Sequence, residues 1–182
     1  VAGSFSITNQ DPVCGVNANE SVNYAGSVNK QLNATDGDAC DALTYALVSI
    51  APPVSGVAAV SASGLFTYSA TCADKGVHTV TFSVTDECNA SVQCTFDLTV
   101  TNTAPTCGVN SNENVYFQTG VVNKQLNSAD ADGNPRTYSM VTVGKGTVSA
   151  SGLYNWATSC SDVGVHNITF RVNDGCDSVD CS

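Results

Sequence analysis

Between Gly76 and Asn102, apolar and polar residues alternate one for one. Val80, Phe82 and Val84 are interleaved with Thr79, Thr81 and Ser83, and Phe96, Leu98 and Val100 with Asp97, Thr99 and Thr101. A period of two puts one set of side chains on each face of a pleated strand. These are therefore two half-buried β-strands joined by a cysteine-flanked turn. The pattern returns from Gly164 to Ser182, but there the second strand stops after Cys181. Phe5-Ser6-Ile7-Thr8-Asn9 matches Leu98-Thr99-Val100-Thr101-Asn102 in phase, and both segments run into a Pro and a Cys-Gly. The chain reads as a two-domain repeat cut inside its last strand.

The repetition extends over the whole chain. PVCGVNANESVNY (Pro12 to Tyr24) returns as PTCGVNSNENVYF (Pro105 to Phe117), and VSASGLFTYSATCADKGVHTVTF as VSASGLYNWATSCSDVGVHNITF, at a period of about 93 residues. Nothing in it has a helical period. In the first repeat the alternation predicts strands near 14–18, 28–35, 43–50, 56–60, 64–71, 77–86 and 92–101. Seven short strands separated by turn-rich segments predict an all-β chain of two tandem seven-strand sandwiches, the second lacking its last strand in cis. The predicted boundaries are 1–11 for a strand that completes a neighbouring copy's second domain, 12–104 for the first domain and 105–182 for the second.

The segments TDGDACDALTYALV and ADADGNPRTYSMV, each followed by SGLFTYSA or SGLYNWAT and then by VTD or VND, resemble the immunoglobulin-like and cadherin-like tandem repeats of extracellular surface proteins. Asp74-x-Gly76-x-His78 and Asp162-x-Gly164-x-His166 stand where immunoglobulin-type domains carry Asp-x-Gly-x-Tyr, with His in place of Tyr. In the cadherin-like repeats, carboxylates at the domain junctions bind Ca²⁺, an ion that takes six to eight oxygen ligands. The resemblance thus implies a Ca²⁺ set of Glu20, Asp36, Asp38 and Asp86 in the first repeat and Glu113, Asp130, Asp132 and Asp174 in the second. Turn-forming aspartates are the competing explanation of the same residues.

Composition narrows the function. Charged residues make up 12% of the chain and the net charge is −10, with six basic residues scattered singly. No patch exists for nucleic acid or an anionic membrane. No apolar run approaches the 18 residues of a membrane-spanning helix. Nine cysteines without a Cys-x-x-Cys point to disulfides and an extracellular or cell-surface location. Asn19, Asn33, Asn89 and Asn167 head Asn-x-Ser/Thr sequons and are possible glycosylation sites.

No nucleophile elbow or phosphate loop occurs, and His78 and His166 recur only with Asp74 and Asp162, so packed turn histidines rather than an enzyme are expected. In an up-and-down sandwich Cys14, Cys40, Cys88 and Cys94 fall at the end where the chain enters the domain, and Cys72 at the other. A strand of about ten residues, roughly 33 Å, separates Cys72 from Cys88, whereas a disulfide tolerates about 7 Å between Cα atoms. Two schemes satisfy this geometry. In one, Cys14–Cys94 and Cys107–Cys181 close each domain while Cys72 reaches Cys176. In the other, Cys88–Cys94 and Cys176–Cys181 close the hairpins while Cys72 reaches Cys107. Cys160 would reach Cys88 or Cys14 of the next copy, and Cys40 is the unpaired ninth. A third possibility keeps every bond inside one domain and leaves Cys72 free.

An unfinished sandwich offers an open edge to an added strand. Phe5 and Ile7 of another copy are the expected strand donor, and the expected partner is a further copy of the chain in a head-to-tail polymer. The equivalent alternative is one period of a longer covalent chain, whose next repeat supplies the strand. The sequence therefore points to a structural subunit of an extracellular filament. The runner-up is an adhesin or receptor segment with Ca²⁺-stiffened junctions that binds a glycan or a protein.

Overall fold

The computed structural model describes residues 3–38, 42–116 and 120–182. The chain divides into two compact units, Val1–Thr101 and Asn102–Ser182, and in each the regular structure is β apart from a single 3-10 turn, Cys72–Asp74 or Cys160–Asp162.

In the first unit the elements are β1 (Val13–Cys14), β2 (Glu20–Asn23), β3 (Ser27–Gln31), β4 (Ala34–Thr35), β5 (Thr44–Ala51), β6 (Ala58–Val60), β7 (Leu65–Ser69), β8 (Gly76–Thr85) and β9 (Ser91–Thr101). They form a four-stranded sheet in the order β2-β9-β8-β5, a three-stranded sheet β3-β7-β6 and a short β1–β4 ladder. The alternation along β8 and β9 turns Val80, Phe82, Val84, Phe96, Leu98 and Val100 inward, where they meet Val28, Phe66 and Tyr68 of the other sheet in one core. The rings of Phe66 and Phe96 join the two sheets edge to face at 5.2 Å. Each such side chain contributes about 1.5–3 kcal/mol on burial, so this core carries the unit's stability.

The strand predicted at 14–18 is instead two pieces, β1 and β2. Asn17 breaks it: its amide donates to the carbonyls of Gly15 and Asn33, and its Oδ1 accepts the Asn33 N–H. The chain then crosses to the other sheet, where β2 runs parallel to the end of β9, with Glu20 opposite Leu98 and Val22 opposite Val100.

The second unit contains β10 (Thr106–Cys107), β11 (Val121–Gln125), β12 (Ser128–Ala129), β13 (Thr137–Met140), β14 (Thr147–Val148), β15 (Leu153–Ala157), β16 (Phe170–Asn173) and β17 (Ser178–Cys181). Its sheets are β11-β15-β14 and β13-β16-β17, with a β10–β12 ladder. Its core centres on Leu126, Tyr154, Phe170, Val172 and Cys181. The ladder that spans ten residues of β8 in the first unit spans four here, from Phe170↔Cys181 to Asn173↔Ser178. Residues 164–169 and 113–116, the counterparts of the start of β8 and of β2, belong to no strand.

Both units turn the corner before the β8-type strand on an aspartate. Asp74, buried, accepts from the backbone N–H of Ser55 (2.5 Å), Gly56 (3.0 Å) and Thr71 (3.2 Å), the Tyr68 hydroxyl (2.8 Å) and the Thr71 hydroxyl (2.7 Å). Burial works against its charge, but these donors outweigh it and hold the carboxyl well below the usual carboxylate range. His78, 5% exposed, fills the space behind it, with Nε2 2.6 Å from the Asp74 carbonyl and Nδ1 2.7 Å from that of Pro52. His166 repeats the first contact, at 2.8 Å from the Asp162 carbonyl, and meets Trp156 edge to face. Asp162 is held at about 2, first by the Ser159 hydroxyl and then by Lys145.

Replacing Asp74 by Ala should leave Tyr68 and three backbone N–H groups without that acceptor and cost about 3 kcal/mol. Because the folded carboxyl titrates below the unfolded one, this stabilisation is complete above about pH 5 and disappears as pH falls through the folded value. Urea unfolding of parent and Asp74→Ala at pH 7 and pH 2 should show a large gap at the first and a much smaller one at the second.

Candidate functional site

At the leading end of each unit an asparagine of the incoming chain is held by a buried aspartate. In the first unit the Asn9 amide donates to Asp86 Oδ2 at 2.8 Å, and the Gln10 N–H to Asp38 Oδ2 at 2.7 Å. In the second, the Asn102 amide donates to Asp174 Oδ2 at 2.9 Å and to Asp177 Oδ2 at 3.0 Å, and the Thr103 N–H to Asp132 Oδ2 at 2.6 Å. The aspartates are preset by their own turns. Asp86 Oδ1 accepts the Ala90 N–H, and Asp174 Oδ1 accepts those of Cys176 and Asp177. Asp36 and Asp130 likewise accept the N–H of Asp38 and Asp132, and Asn134 bridges Asp130 to Asn102. Burial opposes the charge of Asp174, but the Asn102 amide and the turn N–H groups prevail and lower its titration point. The boundary between units therefore falls before Asn102, ahead of the expected 104/105.

Six of the eight expected Ca²⁺ ligands meet in these two networks. Glu20 and Glu113 do not: Lys30 and Lys124 hold them at 2.9 and 3.1 Å. Among the described residues no group of three or more His, Cys, Asp or Glu side chains is arranged to hold a metal ion. Among the described residues, most oxygens of these six aspartates already accept from N–H or O–H groups. The exceptions are Asp36 Oδ2 and Asp130 Oδ2, buried and without a partner.

Residues 3–8 are all exposed, with Phe5 at 97% and Ile7 at 99%. Cys14–Cys94 and Cys107–Cys181 are bonded, with Cα separations of 5.7 and 5.6 Å. Those bonds rule out the hairpin scheme. Cys94 lies opposite Phe82, about 10 Å or more along the ladder from the turn that carries Cys88. Cys72 and Cys176 are disulfide-bonded, Cys160 is an exposed free thiol and Cys88 is exposed in the β8–β9 turn. Cys40 lies outside the described residues. The sequon residues Asn19, Asn33, Asn89 and Asn167 are all exposed. Asn19 also accepts the Asp97 N–H.

Asn9 and Asn102 were not singled out by the sequence reading, although the phase match of Phe5–Asn9 with Leu98–Asn102 carries the signal. Asn102→Ala should remove two hydrogen bonds to carboxylates and destabilise the second unit by about 2 kcal/mol at pH 7. The Asp174 carboxyl titrates low when folded, so the difference should shrink as pH drops below about 4. Thermal melts of both proteins across that range measure it.

Cadherin ectodomain structures are similar over most of the chain. Protocadherin gamma B2 domains 3–6 show 15% identity and a TM-score of 0.46, covering 94% of this chain and 50% of that one. Drosophila N-cadherin EC1-4 shows 13% and 0.42, covering 96% and 49%. Mouse cadherin-23 EC22-24 shows 15% and 0.44, covering 94% and 65%. The chain thus spans about half the length of the first two. No curated protein matches it. The family model for the bacterial Ig domain covers residues 7–99, which takes in the anchored Asn9, the whole β1–β8 frame and nearly all of β9, and the chain belongs to that family.

Proposed function

We propose that the chain is a structural unit of an extracellular bacterial filament or stalk, assembled head to tail by strand complementation. One internal precedent carries this reading. In the first unit β9 completes the β2-β9-β8-β5 sheet and then runs straight into Asn102, which the second unit anchors. Asn9 is anchored in the same way by Asp86. The residues before it, 3–8, correspond to the strand that precedes Asn102, and by that analogy they complete the sheet of a preceding unit.

The register follows from the first unit, where Leu98 faces His78 and Glu20, and Val100 faces Gly76 and Val22. Phe5 of an incoming copy would lie between His166 and Glu113, and Ile7 between Gly164 and Val115. Burying those two side chains contributes about 4 kcal/mol, and the added ladder satisfies strand edges now open to water. Cys160, a free exposed thiol, lies on the connection just before residues 164–169, where it would link covalently to the next copy. The disulfides favour an oxidising, extracellular setting.

The second reading, an adhesive segment with Ca²⁺-stiffened junctions, draws on the unpartnered Asp36 Oδ2 and Asp130 Oδ2. There the ion would be held by Asp36, Asp38 and Asp86, or by Asp130, Asp132 and Asp174, and would offset clustered negative charge. On this reading Ca²⁺ raises the melting temperature and a chelator lowers it, while a melting curve indifferent to both leaves the aspartates as turn and linker anchors.

Light scattering of the full chain should show concentration-dependent growth that Phe5→Ser/Ile7→Ser abolishes without loss of β-sheet circular dichroism. Growth unchanged by that double substitution would defeat strand donation. Cys160→Ser should remove the ladder of bands from non-reducing gels while leaving non-covalent growth in place.

A further inference from the structure

Of the six cationic side chains, Lys30, Lys124, Lys145 and Arg171 each hold a carboxylate within 3.1 Å, and Lys75 is also engaged. Arg136 makes no ion pair among the described residues, and its Nε is buried with no hydrogen-bond partner. Asp130, in the same β12–β13 connection, does not supply the counter-charge, since its own Oδ2 is unpartnered. A half-buried cation left alone in a chain with sixteen acidic residues is costly for the fold.

Arg136 lines a cleft of about 400 Å³ together with Gln125, Asn127, Ser128, Tyr138 and Ser151. The other repeat serves as an internal control. Leu43-Thr44-Tyr45 aligns with Arg136-Thr137-Tyr138, and Leu43 packs against the first unit's core. The surrounding frame is the same in both units. Gln31 Nε2 donates to the Ser63 carbonyl and Gln125 Nε2 to that of Ser151, each at 2.8 Å. Gly64 and Gly152 follow with φ of +84° and +87°. At Gly152 a Cβ would come within 2.9 Å of Gln125 Nε2 and 3.0 Å of the Tyr138 ring, so the glycine keeps those groups close. Within this frame two apolar residues become polar. Leu43 gives way to Arg136, and Ala34 to Ser128, whose hydroxyl lies 2.6 Å from that of Tyr138.

A guanidinium presents a planar fork of donors that fits two oxygens of an oxyanion. The other lining groups are amides and hydroxyls, suited to the hydroxyls of a sugar, apart from Leu126, which is a buried member of the unit's core. We propose that this cleft of the second unit binds an anionic sugar, with its carboxylate or sulfate group on Arg136. The site is independent of strand donation and of the linker anchors.

The test is calorimetric titration of the full chain at low ionic strength, where the net charge of −10 is the only opposing field. The probes are an oligogalacturonate, a sulfated galactose oligomer, the uncharged galactose oligomer and a polyglutamate peptide. At least one of the two anionic sugars should bind ten or more times more tightly than the neutral one, and the preferred one tells carboxylate from sulfate. Arg136→Leu should weaken that binding at least tenfold, and Arg136→Lys by less. Because leucine fills this place in the first unit, Arg136→Leu should melt no lower than the parent, so lost binding cannot be ascribed to misfolding. Binding of neither anionic sugar, equal binding by Arg136→Leu, or binding of the peptide alone would each overturn the assignment.

Discussion

A side-chain amide held by a buried carboxylate decides where one unit of this chain ends and the next begins. Asp86 and Asp174 sit at the start of the turn after a core strand, and one oxygen of each is committed to the N–H groups of that turn. The second oxygen is thereby aimed at the incoming linker, where Asn9 or Asn102 meets it. An asparagine is well suited to this place because its neutral amide donates without bringing a second charge into an already acidic cluster. The strand before the asparagine is then free to belong to a different sheet from the strands after it.

That division explains why two repeats of nearly the same sequence are so unequally filled. In the first unit β9 contributes Phe96, Leu98 and Val100, and with them the contact between the two sheets. The second unit has the same frame of β11, β15 and β16 but no such strand along residues 164–169. Its core is smaller, and Val163 and Val165 are left at 75% and 95% exposure. Cys107–Cys181 still closes it. On a loop-entropy argument, a bond spanning 74 residues contributes about 4 kcal/mol by restricting the unfolded chain. The first unit has the equivalent Cys14–Cys94 bond, so the two differ in packing and not in covalent closure.

The strands were legible because β5, β7, β8 and β9 alternate apolar and polar residues cleanly, and the repeat showed each of them twice. The parallel pairing of β2 was not, since Glu20-Ser21-Val22-Asn23 has a single apolar residue and owes its conformation to the β9 edge. Nor could spacing choose between the two cysteine schemes. That choice depends on Cys94 facing inward opposite Phe82, which is a matter of register. The acidic residues were visible as a cluster, but not that Glu20 and Glu113 would be drawn off by Lys30 and Lys124, residues ten or eleven positions away on a neighbouring strand. Asp74 and Arg136 were hardest to see. One matters because five donors converge on it from three segments, the other because its Nε has no partner among the described residues.

The Cys14–Cys94 bond has a mechanical side. A pull applied to the two ends of the first unit would enter near Asn9 and leave near Asn102, and the covalent path between them runs from Cys14 across to Cys94. Residues 15–93, which hold most of both sheets, form a closed loop off that path. A pull on the two ends can peel only the few residues at either side of the bridge, so the unit transmits load as an inextensible link even if its packing gives way.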